Sequence, residues 1–184
     1  MDGKKAIWVR SRYAAEAAEP HVDPHIIISI NCPGEEPARI RTNRATLGRV
    51  NLFFWDLDRF PEGEVLDDGS VKVTVHGVDS PSKSFYTIRE ADLCQPADAA
   101  KIVDLVEAHP EAEDIIVHCT AGKSRSAGCA AALYKVLFGH DDSIFGNKRF
   151  TPNMRVYRMV LDEWYRRHPM ETKDGDGDSG DQGR

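Results

Sequence analysis

Residues 115–126 of the chain are Ile115-Ile116-Val117-His118-Cys119-Thr120-Ala121-Gly122-Lys123-Ser124-Arg125-Ser126. The run that opens this stretch is apolar and β-branched, which predicts a buried strand. The alanine-rich residues 126–138 that follow are ended by Gly139, which predicts a buried helix. The residues between are polar and include a glycine. The stretch therefore predicts a strand, a tight loop and a helix, and we call residues 119–125 the cysteine loop.

The cysteine loop places one cysteine and one arginine around a turn that Gly122 allows to be tight. Backbone N–H groups between a strand end and a helix N-terminus are unpaired, and together with the helix dipole they attract an anion. They also favour a thiolate at Cys119, which makes it a nucleophile without a separate base. Arg125 offers a planar fork of donors that can hold two phosphate oxygens. These residues predict a site that binds a phosphate dianion and attacks its phosphorus.

The remaining side chains of the stretch have supporting roles in this interpretation. Ser126 is expected to donate a hydrogen bond to the cysteine sulfur and ease its departure. His118 is expected to organise the loop and favour the thiolate rather than to carry protons. The phosphate would be bound by the segment Thr120, Ala121, Gly122, Lys123, Ser124 and Arg125. The alternative is a buried, inert cysteine with Arg125 in a surface ion pair, but the joint pattern favours the site.

The pattern His-Cys-x-x-Gly-x-x-Arg-Ser resembles the signature of the cysteine-dependent protein tyrosine phosphatases, and Ala-Gly-x-Ser-Arg-Ser is especially similar to their dual-specificity branch. Residues 26–30, residues 52–58 and Thr151-Pro152-Asn153 resemble the small bacterial and phage-type members. The resemblance spans residues 6–168. It implies hydrolysis of phosphomonoesters in two steps through a phosphocysteine, without a metal or another cofactor. The substrate it implies is a phosphotyrosine-containing protein, with a phosphoinositide, nucleotide or RNA 5′ phosphate as alternatives, and a phosphate-binding protein without turnover also stays open.

The implied mechanism needs an aspartic acid that protonates the leaving group and later accepts a proton from water. Asp56 is the first choice and Asp58 the second, because both follow an apolar run at residues 50–55 that predicts a strand. Sites in open α/β sheets form at the carboxyl ends of strands. Asp79, in the turn Gly77-Val78-Asp79-Ser80-Pro81, is the rival, and Asp92 is a weaker one.

The dual-specificity branch usually has its acid closer to the cysteine than Asp56 lies to Cys119. Preferring Asp56 therefore treats residues 59–91 as an insertion. Within it, Asp67-Asp68-Gly69 stands between alternating segments and predicts a hairpin. For Asp79 and Asp92, taken singly, a turn or cap role is favoured.

The other patterns predict an α/β fold with a central, mostly parallel sheet and helices on both faces. Strands are expected at residues 6–9 and 26–30, and helices at residues 11–19, at residues 98–109 and from Thr151-Pro152 to His168. Residues 1–169 are expected to form a single catalytic domain. Residues 170–184, rich in glycine and aspartate, predict a disordered acidic tail.

Composition excludes some functions. The 184 residues carry 24 basic and 30 acidic side chains, 24 − 30 = −6, which argues against a nucleic-acid-binding surface. Neither a signal peptide nor a membrane span is expected, so a cytoplasmic protein is predicted.

The cysteines are irregularly spaced, which favours neither a disulfide framework nor a zinc site. A protective disulfide between Cys119 and Cys32 or Cys94 is an alternative under oxidation, and the oligomeric state stays open.

Overall fold

A computed structural model describes residues 5–76 and 83–169 and, within them, two β-sheets. The larger sheet has the order β1-β7-β2-β3 and contains β1 (Ala6–Ser11), β2 (His25–Asn31), β3 (Thr46–Phe53) and β7 (Asp114–Cys119). Each neighbouring pair is parallel. Every residue of β2 is buried, as expected for an inner strand of a parallel sheet covered on both faces. The predicted α/β class is confirmed.

Helices lie on both faces of this sheet, but unequally. The described helices are α1 (Arg12–Ala17), α2 (Pro96–Ala108), α3 (Arg125–Phe138), α4 (Asp142–Phe145) and α5 (Met154–Arg167). Alternate strand residues such as Ile26 and Ile28 join one core cluster with α2, α3 and α5. On the opposite face, Ile27 and Ile116 border a small cavity beside Ala15 of α1. The first face therefore carries most of the core.

The carboxyl ends of the four parallel strands meet at one edge of the sheet. The register pairs Ser11 of β1 with Cys119 of β7, and Asn31 of β2 with Phe53 of β3. The chain leaves the sheet after β3, where Trp55 N donates to the carbonyl of Asp92 at 2.8 Å. Strand β3 therefore ends two residues earlier than the pattern at residues 50–55 predicts, and Asp56 follows it closely.

A second, antiparallel sheet lies between β3 and α2 in the chain. It has the order β4-β5-β6, with β4 (Glu64–Val65), β5 (Val71–His76) and β6 (Lys83–Ile88). Strands β4 and β5 pair across the turn at Asp67-Asp68-Gly69, where Gly69 has φ 77°. This pairing confirms the predicted hairpin. Glycine adopts such a left-handed backbone conformation without strain. Whether residues 59–91 are an insertion stays a prediction.

The start of α5 differs from the prediction. The helix begins at Met154 rather than at Thr151-Pro152, and its cap is Asn153, whose side-chain oxygen accepts from Val156 N at 3.0 Å. Asparagine is among the strongest N-cap residues, because its oxygen satisfies an otherwise unpaired helical N–H. Asp79 and the tail at residues 170–184 lie outside the described residues. No helix in the described part of the chain has both the length and the apolar character needed to cross a bilayer.

Candidate active site

The cysteine loop connects the carboxyl end of β7 to the first turn of α3, as predicted. Gly122 has φ 67°, and a Cβ atom built there would lie 2.4 Å from Ser11 N and 2.6 Å from the carbonyl carbon of Arg10. Only glycine combines this backbone conformation with so close an approach. Arg12 N also donates to the carbonyl of Thr120 at 3.2 Å. The end of β1 therefore holds the loop in a tight turn.

The sulfur of Cys119 is buried and faces hydrogen-bond donors. Ser126 Oγ lies 3.1 Å from Sγ, and Gly122 N donates to Sγ at 3.3 Å. The backbone N–H groups of Ala121, Lys123 and Ser124 make no hydrogen bond with the described residues. They lie at the N-terminus of α3, where the helix dipole adds positive potential. The loop thus surrounds the Cys119 sulfur with backbone donors that have no partner among the described residues.

Arg125 is 3% exposed and is held through its terminal nitrogens. Nη1 donates to the carbonyls of Phe54 at 2.8 Å and Asn31 at 3.1 Å, which lie at the ends of β3 and β2. Nη2 donates to Thr120 Oγ1 at 2.9 Å and to Cys32 Sγ at 3.4 Å. The guanidinium is therefore fixed at the edge of the sheet. A lysine ammonium could not make the same set of hydrogen bonds, because its donors all lie on one nitrogen.

The Nε atom of Arg125 is buried without a hydrogen-bond partner among the described residues. Its nearest acidic group is Asp56 Oδ2, at 3.8 Å. A buried donor left without a partner costs about 1–3 kcal/mol, so its persistence needs an explanation. A bound anion at the cysteine loop would supply the missing acceptor.

Asp56 lies beside the cysteine loop. Its Oδ1 accepts from Ser124 Oγ at 2.7 Å and from Asn153 Nδ2 at 2.9 Å. Its side chain is 37% exposed, and Oδ2 has no hydrogen bond from the described residues beyond the 3.8 Å approach of Arg125. One carboxylate oxygen is therefore held in place while the other lies 3.8 Å from Arg125 Nε.

The other candidate acids have structural partners. Asp58 Oδ1 accepts from Met154 N at 2.7 Å, which caps the N-terminus of α5. Asp92 pairs with Arg89 at 2.8 Å, and this hydrogen bond lowers the pKa of its carboxyl. Asp79 lies outside the described residues. Of the three described candidates, the structure brings only Asp56 to the cysteine loop.

His118 is fully buried, and its Nε2 lies 2.7 Å from Ser29 Oγ on the neighbouring strand. Burial lowers the pKa of His118 to about 4, and the positive charges of Arg49 and Arg12 act in the same direction. The ring is therefore neutral near pH 7 and brings no positive charge to Cys119. The expectation that His118 favours the thiolate stays a prediction, and the described groups that contact the sulfur are Gly122 N and Ser126 Oγ.

Replacing His118 by glutamine should make the free energy of unfolding less dependent on pH below about pH 7. The unfolded chain binds a proton at His118 below about pH 6.5, whereas the folded chain does so only near a pKa of about 4. Because the unfolded state binds more protons between these values, the wild type should lose about 2 kcal/mol of unfolding free energy through this residue from pH 7.5 to pH 5.0. Urea unfolding of wild type and His118→Gln at both pH values measures the difference. Equal pH dependence in the two proteins would contradict the assignment.

The other cysteines differ in their relation to the loop. Cys32 is partly exposed, and its sulfur lies 3.6 Å from Thr120 Oγ1. Cys94 is buried in the core, where desolvation raises the pKa of its thiol to about 12. Burial also raises the pKa of Cys129 on α3. Of the two proposed partners for a disulfide with Cys119, Cys32 is the one beside the loop, and that disulfide stays a prediction.

Sequence reasoning missed the role of Asn153 in positioning Asp56. Besides its contact with Asp56, Asn153 donates its backbone N–H to the carbonyl of Ser124 at 3.1 Å. Gly128 of α3 lies directly against it, since a Cβ atom there would be 2.3 Å from the Asn153 carbonyl oxygen. The Thr-Pro-Asn pattern signalled a helix start, but no local pattern pairs Asn153 with a residue 97 positions away.

Comparison with known proteins identifies no family: no protein-family model matches the sequence, and a search of curated proteins finds no match. The site itself has a buried cysteine, a buried arginine and a carboxylate around unpaired backbone donors. The function is therefore inferred from this geometry.

Proposed function

We propose that this protein is a cysteine-dependent phosphatase that hydrolyses phosphomonoesters of proteins, with phosphotyrosine favoured. The observation that carries the proposal is the buried Arg125 guanidinium with an unpaired Nε at a loop of unpaired N–H groups. These donors support binding of a phosphate dianion next to the Cys119 sulfur. Asp56, close to the same guanidinium, supports proton transfer.

In the first step, the Cys119 thiolate attacks phosphorus. The S–P bond forms while the P–O bond to the leaving group breaks, and the electron pair stays on the leaving oxygen. Asp56, in its protonated form, gives that oxygen a proton, so the product leaves as a neutral phenol or alcohol. Arg125 and the loop N–H groups stabilise the charge on the three non-bridging oxygens.

In the second step, water attacks the phosphocysteine and the S–P bond breaks. The Asp56 carboxylate takes a proton from the water, which restores the acid for the next turnover. The sulfur leaves as a thiolate and is stabilised by Ser126 Oγ and Gly122 N, the two donors that contact it. Inorganic phosphate is released, and neither a metal nor another cofactor takes part. Because the mechanism needs a reduced Cys119, we also propose a reducing, cytoplasmic environment.

One observation favours a second substrate class. Lys123 is exposed within the cysteine loop and would add a cation suited to a more highly charged substrate. A phosphoinositide, a nucleotide or an RNA 5′ phosphate would satisfy it. Comparing phosphotyrosine peptides with these compounds at equal concentration would separate the two classes.

Turnover of para-nitrophenyl phosphate tests the enzymatic proposal. We expect a rapid release of nitrophenol followed by slower steady turnover, because the phosphocysteine accumulates before water hydrolyses it. Acid quenching followed by mass spectrometry should find one phosphoryl group on the peptide that contains Cys119. Phosphate binding without any nitrophenol release would instead identify a phosphate-binding protein.

A further inference from the structure

An apolar cavity of about 290 Å³ lies on the side of Asp56 that faces the antiparallel sheet. Its walls come from two parts of the fold: the segment after β3, and strands β5 and β6. The lining residues are Trp55, Asp56, Leu57, Val73, Tyr86 and Ile88. The cavity therefore depends on strands β5 and β6, which contribute Val73, Tyr86 and Ile88.

The walls of the cavity suit an apolar group. Trp55 and Tyr86 meet edge to face, with ring centroids 5.4 Å apart, and Tyr86 is still 42% exposed. Among the described residues that line the cavity, Asp56 is the one with a charged side chain, and none carries a positive charge. A polyanion would find no counter-charge among these described residues, and its hydroxyls would lose water on entering an apolar cavity. An aromatic or branched aliphatic side chain would bury apolar surface against these walls.

Asp56 joins this cavity to the cysteine loop. Its Oδ1 is bound by Ser124 of the loop, while its backbone neighbours Trp55 and Leu57 line the cavity. No residue of the cysteine loop belongs to the lining. The cavity thus borders the cysteine loop through Asp56.

We propose that this cavity is a specificity subsite that binds an aromatic or branched aliphatic side chain flanking the phosphorylated residue of a protein substrate. The inference rests on the proposed phosphatase function and specifies its substrate class. In this proposal, side chains of the antiparallel sheet determine which substrate residues are accepted next to the phosphorylated residue. The substrates selected are apolar-flanked phosphopeptides rather than inositol phosphates or nucleotides.

Phosphotyrosine peptides that differ only at the flanking positions test this assignment. In the wild type, kcat/KM should be about tenfold higher when phenylalanine or leucine replaces alanine at the position that reaches the cavity. Tyr86→Ala should abolish this preference and leave para-nitrophenyl phosphate turnover within about twofold, because that substrate has no flanking residue. Val73→Thr keeps the shape of the wall, adds a hydroxyl and should reduce the preference about threefold.

Tyr165→Ala is the matched control. Tyr165 is a partly exposed tyrosine on α5, about 18 Å along the helix from Asn153, and its replacement should leave the preference intact. The inference is overturned if the wild type shows no flanking preference, or if Tyr86→Ala slows para-nitrophenyl phosphate as much as the peptides. The second result would place the leaving ring itself in the cavity. Absence of any wild-type turnover would instead refute the phosphatase proposal, so the two failures are distinct.

Discussion

Replacing Cys119 by serine is expected to abolish phosphoester hydrolysis while phosphopeptide binding persists. A serine hydroxyl needs a general base to become a nucleophile, and none of the described residues in contact with the Cys119 sulfur is one. The contacts of the sulfur are Ser126 Oγ and Gly122 N, both donors to a thiolate, and His118 instead contacts Ser29. We therefore expect turnover to fall by at least about 10⁴-fold, the scale seen when a nucleophile is removed.

Binding should survive because the donors for phosphate remain. Arg125 is held by carbonyls of β2 and β3 and does not depend on the cysteine sulfur. Isothermal titration with a phosphotyrosine peptide measures binding, and nitrophenol release measures turnover. Cys94→Ala is the matched control, since that thiol is buried away from the loop and its loss should leave turnover intact. Substantial turnover by Cys119→Ser would refute the phosphocysteine intermediate.

Asp56→Asn is expected to lower kcat by about a hundredfold or more, the usual range for losing a general acid. The asparagine oxygen can still accept from Ser124 Oγ, so the change removes the proton without removing that contact. The deficit should be larger for phosphotyrosine than for para-nitrophenyl phosphate, because nitrophenolate departs readily without a proton. Rates of both substrates across a range of pH measure the effect.

Asp58→Asn provides the matched control two residues away. Its side-chain oxygen can continue to cap α5 through Met154 N, so both rate and fold should be retained. Asp79→Asn tests the rival acid. If Asp79→Asn shows the hundredfold loss and Asp56→Asn does not, the assignment of the acid is wrong.

Local patterns were sufficient to predict the cysteine loop and its frame. An apolar run, a glycine-containing turn and a helix ended by Gly139 each depend on nearby residues, and the structure places them as predicted. The position of Asp56 followed from a more general rule, that parallel strands end at a common edge. That rule brought together residues 68 positions apart, as the bond between Ser124 and Asp56 shows.

Other features depended on packing that no local pattern contains. The neutral state of His118 arises from burial in the sheet and from Arg49 and Arg12, which are distant in the chain. The contact between Asn153 and Asp56 requires α5 to pack against α3 at Gly128. The cavity beside Trp55 and Tyr86 requires the antiparallel sheet to pack against the segment after β3. Each joins segments whose relative placement only the complete fold determines.

The anchoring of Arg125 and Gly122 would make the proposed anion binding a property of the whole parallel sheet. The guanidinium is bonded to the ends of β2 and β3, the loop extends from β7, and Gly122 rests on the end of β1. All four strands must therefore be paired before the donors converge. A phosphate ion bound there would stabilise the native state of the whole sheet, because it would bind the folded protein and not the unfolded chain. Partially folded forms that lack any one strand would lack the proposed anion site, so phosphate binding would report cooperative folding of the domain.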